Sequence, residues 1–177
     1  MATGLNENRK WYALYTKPRH EFVAEAQLKS IGIEVYLPSV ITVRQWSDRK
    51  KKVKAPLMNS YIFILGDEKD RLEALEQTSV SRCVFDRGKP AVIPEFQIDN
   101  LKKFIHDNFT YMVVNGVVRG AKIRITDGPF AGTEGVIIEE PEKNRSIAVS
   151  IELLNRTVIA EIPDASMFQV ISKEFKK

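Results

Sequence analysis

Among 177 residues the chain has one cysteine, Cys83, and two histidines, His20 and His106. A lone thiol excludes an intramolecular disulfide and any zinc site built from several cysteines, and it suits a reducing compartment. The two histidines fall in different predicted elements and make no dyad. H-E-x-x-H, paired metal-ligand spacings and G-x-S-x-G are missing, so no catalytic apparatus is legible, and a protein that is not an enzyme and needs neither metal nor cofactor is expected. No apolar run approaches the roughly 20 residues that span a bilayer. The opening "MATGLNENRK" lacks the apolar core of a signal peptide. These absences predict a cytoplasmic protein without membrane contact. No internal repeat or low-complexity stretch is present.

Hydrophobic residues make up 44% of the chain, enough to bury real cores, and charged residues 28%, enough for solubility. The length suits two small domains. The net charge is +4, and the basic excess lies before about residue 115, with the remainder balanced. That asymmetry hints at nucleic acid near the first part.

Along the chain, "WYALYT" at 11–16 predicts a strand. A helix follows over 19–31, with Ala24, Leu28 and Ile31 on one face, Val23 beside them, and Gly32 as the stop. Residues 33–46 predict extended chain broken at Pro38. Five of the six residues 49–54 are Arg or Lys. "NSYIFIL" at 59–65 predicts a buried strand, and 67–78 a helix with Asp67 as N-cap and Leu72 and Leu75 inward. "VSRCVF" at 80–85 predicts a strand holding Cys83 as a small core residue. A last helix over 94–109 turns Ile98, Leu101 and Ile105 to one side. The order β-α-β-β-α-β-α predicts an α+β domain with a mostly antiparallel sheet and helices on one face. After about residue 115 five short alternating strands, spaced by Gly, Pro and Asn, predict a small barrel. The expected division is a disordered lead at 1–9, a first domain at 10–109, a linker at 110–117 and a second domain at 118–173.

"TDGPFAGTEGVI" at 126–137 holds Gly128, Pro129, Phe130, Gly132 and Gly135. A phosphate-binding loop needs glycines that open a helix and a Lys-Ser or Lys-Thr at its end. Here "VIIEE" follows, a strand, with no such pair. A tight turn between two barrel strands is the better reading.

"KIRITDGPFAGTEGVIIEE" resembles the KOW motif of NusG-type transcription factors and some ribosomal proteins. "WYALYT", the helix 19–31, "LP" at 37–38, "PLMNSYIFI" at 56–64 and "PAVIP" at 90–94 resemble the NusG N-terminal (NGN) domain in order and spacing. By this resemblance the chain is identified as a member of the NusG family, and the likeness spans about residues 10–172. The resemblance implies an antiparallel-sheet NGN domain followed by a five-stranded SH3-like KOW β-barrel, in a monomeric transcription elongation and antitermination factor. It implies contact with the clamp helices of the largest RNA polymerase subunit through positions matching Tyr15, Met58, Tyr61, Phe63, Ile98 and Leu101. Strand alternation puts Tyr61 and Phe63 on one face and Ile62 and Ile64 on the other, without saying which face meets the helices.

The resemblance further implies contact with non-template DNA around Lys17, Arg19, His20, Gln27, Thr78 and Ser79. The cationic run Arg49, Lys50, Lys51, Lys52 and Lys54, expected in a projecting hairpin, adds a backbone contact that gives affinity rather than sequence choice. For the KOW domain it implies a small-subunit ribosomal protein, the termination factor Rho or RNA as partner, with Ile151, Leu153, Leu154 and Arg156 as contacts and Phe130 as core. Val, Ile and Thr are dense from 147 to 159, which favours strands over helices there. Two departures, Asn59 where relatives carry proline and Leu154-Asn155-Arg156 where they often carry an aromatic, point to a specialised paralogue of the RfaH or UpxY kind. A ribosome-associated or RNA-binding KOW protein is the alternative.

Overall fold

The computed structural model describes residues 8–46, 49–107, 109–138, 145–164 and 166–172. Most of the lead expected to be disordered, residues 1–7, lies outside the described residues. Arg9, also assigned to that lead, is tied down: its guanidinium donates to the Leu65 carbonyl at 2.9 Å and to Glu34 at 3.2 Å. Two compact units form, residues 1–38 with 58–95 and residues 39–57 with 96–177.

The first unit is built on β1 (Lys10–Thr16), α1 (Glu21–Ser30), β2 (Glu34–Tyr36), and, beyond a ribbon described below, β5 (Tyr61–Gly66), α2 (Glu68–Leu75), β6 (Val80–Cys83), β7 (Phe85–Asp86), β8 (Lys89–Pro90) and β9 (Val92–Ile93). The sheet order is β2-β5-β1-β6, with β9 also on β1 and every pairing antiparallel. Successive residues of a strand point to opposite faces. Tyr12, Leu14, Ile62 and Ile64 therefore share one face, and they form a core cluster with Ala24 and Leu28 of α1 and Ala74 of α2. Cys83 belongs to the same cluster.

The helices begin and end where local chemistry dictates, yet two inward faces differ from expectation. Asp67 accepts the Asp70 N–H at 2.9 Å and Asp70 accepts the Asp67 N–H at 3.0 Å, a reciprocal capping box. On α2 the buried residues are Arg71 and Ala74, while Leu72 is exposed. The Arg71 side chain is buried with its head held by Glu68, so an arginine stem takes the inward place assigned to a leucine. On α1, Ala24 and Leu28 are buried but Val23 and Ile31 are exposed. The helix ends at Ser30, and Ile31 sits in its cap rather than on its face. Gly32 stops it with φ of +82°.

The second unit holds the ribbon of β3 (Ser39–Gln45) and β4 (Lys50–Pro56), α3 (Glu95–Phe104, from Phe96 on) and the strands β10 (Tyr111–Asn115), β11 (Lys122–Ile125), β12 (Glu134–Ile138), β13 (Ser146–Ile151), β14 (Arg156–Glu161) and β15 (Phe168–Ser172). The last six form an antiparallel sheet in the order β10-β14-β13-β12-β11-β15. One strand more than the expected five is present, because "YMVVN", assigned to a linker, pairs with β14 from Tyr111↔Ala160 to Asn115↔Arg156. Its aromatic and β-branched residues, Tyr111, Val113 and Val114, suit a half-buried strand. Phe130 is fully buried and packs on Phe104 and Phe109, with ring centroids 5.1 and 4.5 Å away. The Asn100 side chain clips α3 to β12, accepting the Glu134 N–H at 2.6 Å and donating to the Glu134 carbonyl.

The glycine-rich stretch is a turn, as read from the sequence. Gly128 and Gly132 have φ of +96° and +82°, and a strand, β12, follows. Gly135 acts differently: a Cβ there would stand 2.6 Å from the Ala148 carbonyl oxygen and 2.7 Å from Ile147. Gly135→Ala is expected to lower stability by about 1–3 kcal/mol, because backbone on the neighbouring strand must give way. A urea midpoint displaced downward at unchanged slope checks this.

Candidate functional site

On the face of β1 away from α1 and α2 stands Tyr15. Register sets it opposite Tyr61 of β5 and Arg82 of β6. The Tyr61 hydroxyl donates to the Tyr15 hydroxyl at 3.0 Å, with ring centroids 4.8 Å apart. The Arg82 guanidinium lies 4.7 Å from the centre of the Tyr15 ring, where the ring quadrupole attracts a cation. Arg82, Tyr15 and Tyr61 thus make a row across three strands. Tyr36 stacks on Phe63 of the same face at 6.2 Å. Phe63 therefore lies opposite the α1/α2 layer, which decides the question alternation left open, and it is nonetheless fully buried. Met58, Tyr61, Ile98 and Leu101 are buried too. Tyr15 and Arg82 are the accessible members of the row.

The turn that delivers Tyr61 carries strain. Ser60 has φ of +63°, a left-handed conformation uncommon outside glycine and asparagine. Its N–H is held by the buried Glu21 carboxylate at 2.8 Å, and its carbonyl accepts the Thr16 N–H at 3.0 Å. A buried carboxylate on α1 thereby fixes the start of β5. Nothing in the sequence pattern distinguishes Glu21 from a solvated helix residue, and nothing marks Arg82 within the expected strand 80–85.

The second group of expected contacts is brought together. The Gln27 amide donates to the Thr78 hydroxyl at 2.9 Å and accepts the Ser79 N–H at 3.2 Å. The Ser79 carbonyl accepts the Lys17 N–H at 2.9 Å. Lys17, Gln27, Thr78 and Ser79 are thus one hydrogen-bonded cluster joining the end of β1, α1 and the loop after α2. Arg19 and His20 are exposed beside it; Arg19 has φ of +63°, and the His20 ring nitrogen Nδ1 lies 2.9 Å from the Pro18 carbonyl.

The cationic run lies in the expected hairpin, from Lys50 on in its second strand, β4. β4 pairs with β3 from Ser39↔Pro56 to Gln45↔Lys50, and Lys50, Lys51, Lys52 and Lys54 are exposed, as is Arg49. The pleat sends Lys50, Lys52 and Lys54 to one face of the ribbon and Lys51 to the other.

In the C-terminal sheet Ile151 and Leu154 are buried, while Leu153 and Arg156 are partly exposed. Asn155 follows a short 3-10 turn, Glu152–Leu154, with φ of +50°. That conformation favours Asn over bulkier residues.

The family model described as transcription termination factor NusG matches residues 9–102. The chain belongs to the NusG family. A NusG transcription termination/antitermination protein of Campylobacter jejuni is 23% identical over 92% of this chain and 98% of its own length. The corresponding NusG of Haemophilus influenzae is 22% identical over 80% and 79%. A solved structure described as domain interaction in Thermotoga maritima NusG covers 93% of this chain and 98% of its own at 21% identity, with a TM-score of 0.47. The matched region takes in the Tyr15 row, the Gln27 cluster and the ribbon of this NusG-family chain. Among the described residues no group of His, Cys, Asp and Glu could hold a metal, and no helix is long and apolar enough to cross a membrane.

Two outcomes follow from this geometry. Gln27→Ala leaves the buried Ser79 N–H without its acceptor, at a cost of about 1–3 kcal/mol, and hydrogen exchange at Ser79 is expected to accelerate accordingly. Burial pushes the Cys83 thiol above its usual range, so little thiolate forms at pH 8. Iodoacetamide is expected to leave the native protein unmodified at that pH and to label it in denaturant.

Proposed function

We propose that this chain is a transcription elongation and antitermination factor that binds RNA polymerase through the NGN domain, residues 10–109, and recruits a further factor through the KOW domain, residues 118–173. The observation that carries the reading is the coincidence of the family match over residues 9–102 with the Arg82–Tyr15–Tyr61 row on the sheet face away from α1 and α2. Aromatic residues and arginine dominate the energetics of protein interfaces. The occupant of that face is the clamp coiled coil of the polymerase, with Tyr15 and Arg82 making the contact and Met58, Tyr61 and Phe63 shaping the surface beneath. Bridging the clamp favours the closed, processive polymerase, so the chain shifts a conformational equilibrium and performs no chemistry.

The Gln27 cluster with Lys17, Arg19 and His20 faces exposed non-template DNA, and Arg49–Lys54 meets nucleic-acid phosphates. The KOW partner is a small-subunit ribosomal protein, met through Leu153 and Arg156 over a base of Ile151 and Leu154. The role is operon-specific, of the kind that serves long surface-polysaccharide transcription units. The departures at Asn59, which is exposed, and at Leu154-Asn155 support this.

Single-round transcription tests the proposal. The chain is expected to shorten pauses, and Tyr15→Ala with Arg82→Ala is expected to weaken binding to the isolated clamp coiled coil by about tenfold or more. Arg87→Ala, on the β7–β8 turn, serves as the control. No effect on pausing or termination together with no binding to the coiled coil overturns the reading. Complementation of the general factor at all operons overturns the specialised role alone.

A further inference from the structure

The β3–β4 ribbon sorts its charges by face. Residues opposite one another in an antiparallel pair share a face. Ile41 pairs with Lys54, Val43 with Lys52 and Gln45 with Lys50. That face is exposed throughout, with three lysines flanked by Ile41 and Val43. At the end of the ribbon the Trp46 N–H donates to the Arg49 carbonyl at 2.8 Å and closes the ladder. Alternation from this pair puts Trp46, Arg49 and Lys51 on the other face. The Lys51 ammonium lies 6.0 Å from the Trp46 ring centre. Trp46 is 54% exposed, whereas Trp11, the other tryptophan, is 3% exposed.

An exposed indole costs free energy in water, and a solvated cationic loop needs none. The pairing of one flat aromatic ring with Lys51 and Arg49 on its own face, and Lys50, Lys52 and Lys54 on the reverse, matches what single-stranded nucleic acid offers: a stackable base joined to phosphates on both sides. In a duplex the bases are already stacked and their faces closed. We propose that Trp46 is a stacking platform for an unpaired nucleobase of single-stranded DNA, with Lys51 and Arg49 on the adjoining phosphates, while Lys50, Lys52 and Lys54 supply attraction that does not distinguish one strand from two. This rests on the reading that the ribbon meets nucleic acid. It changes that reading from backbone attraction alone to recognition of an unpaired strand.

The test uses the full chain and an oligothymidylate of 12 nucleotides, with a hairpin duplex of equal phosphate count as comparison. Trp11 is buried, so quenching of tryptophan emission reports Trp46. Oligothymidylate is expected to quench the emission, and Trp46→Ala to weaken single-strand binding about tenfold while leaving duplex binding within twofold. Trp46→Phe is expected to retain part of the affinity. Lys52→Gln with Lys54→Gln is expected to weaken both ligands alike and to flatten the salt dependence. Absence of quenching, or equal loss for single strand and duplex on Trp46→Ala, overturns the inference. Binding of Trp46→Ala to the clamp coiled coil, measured in parallel, separates the two proposals: retained coil binding without quenching defeats only the stacking platform, and quenching without coil binding defeats only the polymerase reading.

Discussion

The first unit depends on the pleat of one strand. β1 is paired along one edge with β5 and along the other with β6 and β9, so neither edge is open to slip. Its alternation then fixes what everything else does. Tyr12 and Leu14 go to the face that α1 and α2 cover, and Tyr15 goes to the face they leave. A shift of one residue would exchange the two sets. The register with β5 carries the same division to Ile62 and Ile64 on one side and Tyr61 and Phe63 on the other. The Tyr15 row and the core are thus two readings of a single hydrogen-bonding pattern.

Local devices hold that register at its ends. Glu21 accepts the Ser60 N–H just before β5 starts, and Gln27 holds Thr78 and Ser79 just before β6 starts. Both acceptors come from α1, so the helix that covers the core also sets where the two flanking strands begin. Arg71 adds to the same layer. Its stem is buried and its guanidinium, beside the Glu68 carboxylate, is held even more firmly protonated than usual. Glu68 is correspondingly held below its ordinary range by the same contact.

Much of this was legible in the sequence. Hydrophobic period gave the order of helices and strands, the glycine stretch gave a turn followed by a strand, and Asp67 and Gly32 marked helix ends. Where the reading differed, a physical reason is visible. Leu72 was assigned inward because period counts only apolar residues, and an arginine stem covered the surface instead. "YMVVN" was assigned to a linker because it is short, although its aromatic and β-branched residues suit the strand it forms. The basic run was read as one patch because charge is counted along the chain, whereas a strand divides it between two faces. Glu21 was not legible at all: a carboxylate aimed at a backbone N–H 39 residues away leaves no local signature.

The β3–β4 ribbon pairs only with itself among the described strands. Its length is therefore free to drift between homologues without disturbing the sheet around β1. Parity constrains that drift. Adding two residues to one arm keeps every later side chain on its face, and lengthens the reach of the tip. Adding one residue turns the outer part of that arm over and exchanges the lysine-bearing face with the indole-bearing one, unless a bulge absorbs it. Natural length variants of this ribbon are expected in even steps, with odd steps accompanied by a bulge.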